Sequence, residues 1–195
     1  MKALQSQHAS TLVHDMHALD QRAAEIERTV DRVALDWVPP AGGWSVAQIF
    51  DHLCVANDDY LRVLRAIIAQ RPRRPAGSPD PTWRSSFAGG ILARSMQSPR
   101  KLPAPKSWAP APVPRPHVID EFLARQREIV RLIEQSTAHE WNRVRLASPV
   151  SSLVRMNVGD AFTILVRHAE RHFRQIDERL ASFEAVRADG VATSR

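Results

Sequence analysis

Four stretches of this chain place apolar residues at the three- and four-residue spacing of a helix with one buried face. The first runs from about Leu4 to Leu35, with Leu12, Met16, Leu19, Ala23, Ile26, Val30 and Val33 as its inward positions. Pro39-Pro40 and Gly42-Gly43 then end it, because proline cannot continue a helix and glycine favours a turn. The second stretch opens on a capping box, in which Ser45 caps free backbone donors and Gln48 reaches back to it. It continues through Ile49, Leu53, Ala56, Tyr60, Leu64 and Ile67 to about Gln70. The third covers about Val118 to Gln135, with Phe122, Ile129, Leu132 and Ile133 inward. Asn157 and Asp160 mark the start of the fourth, which runs to about Val186 through Phe162, Leu165, Ala169, Phe173, Ile176 and Leu180.

Between the second and third stretches the pattern stops. Residues 72–116 hold eleven of the fourteen prolines. One short helix, about Trp83 to Gln97, fits there, and the rest must be loop or extended chain. No alternating pattern of useful length predicts a strand. The expectation is an all-α fold, an antiparallel four-helix bundle with a long Pro-rich loop between helices two and three. It forms one domain over residues 1–195, with its core at about 4–186, the Pro-rich insertion at about 71–117 and a disordered tail at 187–195.

Composition narrows the function class. Apolar residues are 44% and charged residues 25% of the 195, the balance of a soluble globular domain. No apolar run is long enough to span a membrane, and the first residues lack the core of a secretory signal. The cytoplasm is the expected compartment. A single cysteine, Cys54, excludes an internal disulfide and any multi-cysteine zinc site. Its alternatives are a small buried hydrophobe, or a reactive thiol or metal ligand. The net charge of +6 invites a nucleic-acid partner. Yet the arginines are scattered and alternate with acids, as in Glu121, Arg125, Glu128 and Arg131, which is the pattern of a solvated, ion-paired helix face. Arg71, Arg73 and Arg74 form the one basic cluster, among prolines at a helix exit. No nucleic-acid partner is therefore expected.

The histidines carry the candidate chemistry. His168 and His172 stand four apart, one turn above the other on the face that holds Leu165 and Ile176. A buried, unpaired imidazole is unfavourable by roughly 1–3 kcal/mol. Each could bond separately to a carboxylate or carbonyl, or one divalent ion could satisfy both. His52 lies on the buried stripe of Ser45, Ile49, Ala56 and Tyr60, so three imidazoles can meet from the inward faces of two helices. Zinc, nickel and ferrous iron all suit imidazole nitrogen. His14 and His17 flank Asp15 and read as a separate surface site or as solvated residues. His8, His117 and His139 stand alone and read as surface residues.

These residues resemble the DinB-like (DinB/YfiT) superfamily of metal-binding four-helix bundles. Trp44-Ser45-Val46-Ala47-Gln48-Ile49-Phe50-Asp51-His52-Leu53 is similar to that family's start of helix two, where tryptophan and serine precede the first ligand. Arg167-His168-Ala169-Glu170-Arg171-His172-Phe173-Arg174-Gln175-Ile176 is similar to its helix-four signature. The resemblance implies an up-down-down-up bundle, often dimeric, holding nickel or zinc through His52, His168 and His172. Some members are enzymes that use a low-molecular-weight thiol for transfer or isomerisation. Three readings follow: a metal-dependent thiol S-transferase acting on an electrophilic small molecule, a metal-dependent hydrolase, or a non-catalytic homodimeric bundle with a structural metal or none. Asp59, seven residues after His52, is a candidate helper base or supporting group, or else a solvated helix acid. Gln175 fits the family motif and is placed to hydrogen-bond near the site. The long Pro-rich insertion departs from the family pattern.

Overall fold

The structure is a computed structural model that describes residues 1–98 and 104–192. It is mostly helical. Strand β1 (Lys2–Leu4) leads into α1 (Gln5–Thr29), followed by α2 (Arg32–Asp36) and α3 (Val46–Ala69). Strand β2 (Thr82–Arg84), α4 (Phe87–Gln97) and a one-turn 3-10 helix (Lys106–Trp108) occupy the Pro-rich stretch. Then come α5 (Val118–Ser136), β3 (Arg145–Ser148), β4 (Ser151–Asn157) and α6 (Val158–Ala192). Helices α1 and α3 each pack against both α5 and α6. Among the described residues, no helix is long and apolar enough to cross a membrane.

The expected caps form. Gln48 N–H donates to Ser45 Oγ at 3.2 Å while Ser45 N–H donates to Gln48 Oε1 at 3.0 Å. At the head of α6 the same reciprocity joins Asn157 and Asp160, at 2.9 and 3.1 Å. Each pair satisfies two backbone donors that a helix start leaves open. The inward residues Leu12, Met16, Leu19, Ala23 and Ile26 of α1 are buried.

Four expectations need correction. The first helical stretch breaks at Val30, where the backbone turns extended. Asp31 then caps α2 through Ala34 N–H at 2.8 Å, and the new helix turns Val33 outward to 70% exposure. Two antiparallel strand pairs, β1 with β2 and β3 with β4, appear where no strand was expected. Each has a member of three or four residues, too short to show an alternation. The short helix placed at Trp83 starts instead at Phe87, because Trp83 is fully buried as the middle of β2, with Nε1–H donating to Asn157 Oδ1 at 2.9 Å. Finally, α6 continues to Ala192, so the tail expected from 187 is helical as far as 192; residues 193–195 lie outside the described residues. No proline follows Val186 to stop the helix.

Two apolar clusters fill the space between the helices. One holds an aromatic triangle of Phe50, Phe122 and Phe173, with centroids 5.3–5.9 Å apart. This triangle ties α3, α5 and α6 together, with Phe50 two residues before His52 and Phe173 next to His172. Ring pairs at these separations add to the energy of plain burial.

Candidate metal centre

Helices α3 and α6 bring His52, His168 and His172 to one point. His168 Nε2 lies 3.2 Å from His52 Nε2 and 3.1 Å from His172 Nε2. One ligand atom from each residue falls within 4.8 Å of the others, a set that could hold a metal ion. His52 is 1% and His172 6% exposed, while His168 is half-buried.

The outer nitrogens decide which atoms face inward. His52 Nδ1 lies 2.7 Å from the carbonyl oxygen of Trp108, which can only accept, so Nδ1 carries the proton. His172 Nδ1 lies 2.8 Å from Gln175 Oε1 and donates for the same reason. The Nε2 atoms of His52 and His172 are therefore bare lone pairs. His168 Nε2–H could donate to one of them and not to both. Lone pairs that converge without enough protons to separate them suit a cation. Metal–imidazole bonds of about 2.0–2.1 Å put neighbouring nitrogens roughly 2.9 Å apart on an octahedral face and roughly 3.3 Å apart in a tetrahedron. The observed separations fall between these values.

Burial keeps the imidazoles neutral. Desolvation is the main reason that the His52 pKa is lowered and that His168 is held well below the ordinary imidazole value. Mutual repulsion with the neighbouring imidazoles adds to the effect on His168. His172 falls to about 3, again chiefly by burial and then by repulsion from His52. Neutral imidazole is the form that ligates a metal.

Other candidate residues take definite places. Gln175 holds the His172 ring from behind rather than facing the cluster. Asp59 Oδ2 accepts from Trp108 Nε1 at 2.8 Å and Oδ1 from Arg62 at 2.7 Å. Burial works against the Asp59 charge, but these two bonds hold its carboxyl below its ordinary range. Cys54 is wholly buried and its thiol is pushed up to about 12 by desolvation, so it is a small hydrophobe of the core. His14, His17 and His117 are exposed. His8 and His139 are not the surface residues expected. His8 stacks on Trp83, and His139 is buried with Nδ1 donating to the Pro72 carbonyl at 3.0 Å. Arg71, Arg73 and Arg74 line a cavity of about 350 Å³ with Glu140 and Arg143, and no histidine belongs to it.

Two tryptophans border the site; Trp44 belongs to the motif that resembles the family's start of helix two, whereas Trp108 was not singled out by the sequence. Trp44 lies 4.9 Å from the His52 ring, and Trp108 lies 6.3 Å from His52 and 6.0 Å from His168. Trp108 stands alone among prolines and a lysine, and that isolation was the available signal. A carbonyl contact is open to any residue type, so no side-chain motif announces it.

A family model described as the DinB superfamily matches residues 17–176, a span that includes all three histidines. No curated protein and no solved structure matches the chain.

Proposed function

The chain belongs to the DinB superfamily, and from that premise we propose that His52, His168 and His172 bind one divalent ion and make it a thiol-using enzyme. The observation that carries this reading is the convergence of Nε2 atoms, two of them stripped of protons by Trp108 and Gln175. Nickel or zinc suits such a set best, with iron as the third choice. When bound, the ion would acidify a thiol or water brought to its open side. His52 and His172 hold their lone pairs inward without rearrangement, and burial spares them a proton that the ion would have to displace. Trp44 and Trp108 narrow the approach beside His52 with apolar surface. The reaction we propose is S-transfer from a low-molecular-weight thiol to an electrophilic small molecule in the cytoplasm, with hydrolysis of such a molecule as the alternative.

The helix order we read as up-down-down-up. Supporting it, Arg22 of α1 pairs with Asp177 of α6, and Arg65 of α3 with Glu128 of α5. His52 of α3 meets His168 of α6, and Gln126 of α5 meets Met16 of α1. A homodimer is part of the proposal, with the exposed Phe87 and Leu153 as apolar contributors.

The deep burial of His52 under the Trp108 carbonyl favours a second reading, a structural ion in a non-catalytic dimer. One experiment separates the readings. Metal per chain is measured by elemental analysis in the purified protein and in His52→Ala and His172→Ala, beside thiol consumption with a reactive electrophile. About one ion per chain, lost in both variants together with thiol consumption, supports the enzyme. Metal loss that lowers only thermal stability supports the structural ion, and unchanged metal content removes the site.

A further inference from the structure

The Pro-rich segment lies along α3 as a strap. Gln48 donates to the carbonyls of Ala111 and Pro112 at 3.4 and 3.2 Å. Asp51 accepts from Ala111 N–H at 3.0 Å and from Arg115 Nε at 2.6 Å. His52 donates to the Trp108 carbonyl, and Asp59 accepts from the Trp108 indole. Gln48, Asp51, His52 and Asp59 fall at helical positions i, i+3, i+4 and i+11, so one stripe of α3 carries these attachments, and Arg115 Nη1 adds one to α5 by donating to Glu121 Oε2 at 2.9 Å. The strap prolines 105, 110, 112, 114 and 116 have fixed φ and no N–H, so they favour an extended chain over a helix.

Trp108 makes two of these contacts with different parts of itself. Its carbonyl sits on His52, and its ring reaches Asp59 two helical turns away, roughly 10 Å along the axis. The residue is thus a brace between a candidate ligand and an acid. The carbonyl sets which His52 nitrogen is bare, and the indole sets where the carbonyl is.

We propose that Asp59 is a positioning residue for the histidine cluster, acting through the Trp108 indole to hold the Trp108 carbonyl on His52 Nδ1. The proposal rests on the metal-binding reading for its consequence but not for its geometry. Groups that orient metal-ligating imidazoles change metal affinity by about 10–100-fold when removed. Asp59 therefore matters without touching metal or substrate. The insertion that sets this chain apart from the family pattern becomes part of the site, because the carbonyl that selects the His52 tautomer belongs to it.

The test uses the full chain. Zinc affinity is measured by competition with a chromophoric chelator in wild type, Asp59→Ala, Asp59→Asn, Trp108→Phe and Arg62→Ala. In the metal-free proteins, nitrogen NMR reads the His52 tautomer. Asp59→Ala and Trp108→Phe should each weaken zinc binding by about 10–100-fold and turn the single Nδ1–H tautomer into a mixture. Asp59→Asn keeps an accepting oxygen and should retain most of the affinity. Arg62→Ala breaks the exposed ion pair alone and should change neither readout. Trp108→Phe guards against an Asp59 variant that fails to fold, since it keeps a ring and deletes only the donor. Wild-type affinity and tautomer in both Asp59→Ala and Trp108→Phe overturn the proposal, as does an equal loss in Arg62→Ala. If the wild type binds no zinc, the metal reading fails, and the tautomer alone decides for or against the brace.

Discussion

The imidazole of His8 lies flat against the indole of Trp83, with ring centroids 3.9 Å apart and planes 6° from parallel. Behind it, Thr163 Oγ1 donates to the Gly159 carbonyl at 2.7 Å, so it accepts from His8 Nε2–H at 2.9 Å. The first turn of α1 is thereby fastened to β2 and to the start of α6. Replacing His8 by alanine removes the stack and the bond together. A loss of about 1–3 kcal/mol is expected, with zinc affinity unchanged. Urea unfolding beside a chelator titration checks both parts.

Gly159 sits where α6 begins beneath two tryptophans. A Cβ there would lie 2.3 Å from Trp83 Nε1 and 2.7 Å from Trp141 Cε3. Both rings are buried and neither is the loose end of a flexible chain. Gly159→Ala should therefore destabilise by about 1–3 kcal/mol through overpacking, although alanine is otherwise the better helix former. Thermal melts decide it, and a Tm at or above wild type would show that the rings move aside.

Acid should destabilise the metal-free protein. His8, His52, His168 and His172 all have lowered pKa values, chiefly by burial, with His8 at about 4 and His172 at about 3. Below the ordinary imidazole value of about 6.5 the unfolded chain takes up protons that the folded one refuses, so stability falls as pH falls. The slope is roughly 1.4 kcal/mol per pH unit for each of the deeply buried His52 and His172, and less for half-buried His8 and His168, which solvent screens. Asp20 opposes this, since burial raises its pKa to about 6 and its protonation favours the fold as pH drops toward its unfolded value. Four groups against one leave a net fall. A Tm that rises between pH 7 and pH 5 would reverse the assignment.

Metal should stabilise the fold by an amount that grows with the logarithm of its free concentration once that exceeds the dissociation constant. At one hundred times the dissociation constant the gain is about 2.7 kcal/mol. For a chain of this size that raises Tm by roughly 5–10 °C. Scanning calorimetry with and without a chelator measures the gain. The exposed His14 and His17 serve as controls. Their alanine variants should keep the full metal-induced shift, whereas His168→Ala should lose most of it.

Removing one aromatic of the core triangle tests whether the site depends on the packing beside it. Phe173 follows His172 directly and packs with Phe50 and Phe122. Phe173→Ala should cost about 3–5 kcal/mol and weaken zinc binding as well. Phe50→Ala should cost as much. Denaturant melts and chelator competition on the same samples give both numbers.

Much of this arrangement was legible from the chain alone, for a physical reason. Helical periodicity, the Ser45–Gln48 and Asn157–Asp160 caps and the four-residue spacing of His168 and His172 all act within one or two turns. The burial of His52 followed from its stripe on α3 by the same logic. Contacts between residues far apart in the chain were not legible. Trp108 meets His52 across 56 positions and His8 meets Thr163 across 155. The Asp31 cap that turned Val33 outward is itself local, but it was hidden by an apolar spacing that ran straight through it.

By itself, then, the sequence determined the long helical segments, the caps that open α3 and α6, and the helix faces that carry His52, His168 and His172. These properties follow from hydrogen bonds and burial patterns a few residues long. The tertiary structure decided which nitrogen of His52 is bare, what Asp59 holds, and how a Pro-rich segment comes to lie over the histidines. Those outcomes depend on a backbone carbonyl and on an indole whose partner, Asp59, lies two helical turns from His52. A carbonyl is the same in every residue, so only the folded chain says whose carbonyl it is.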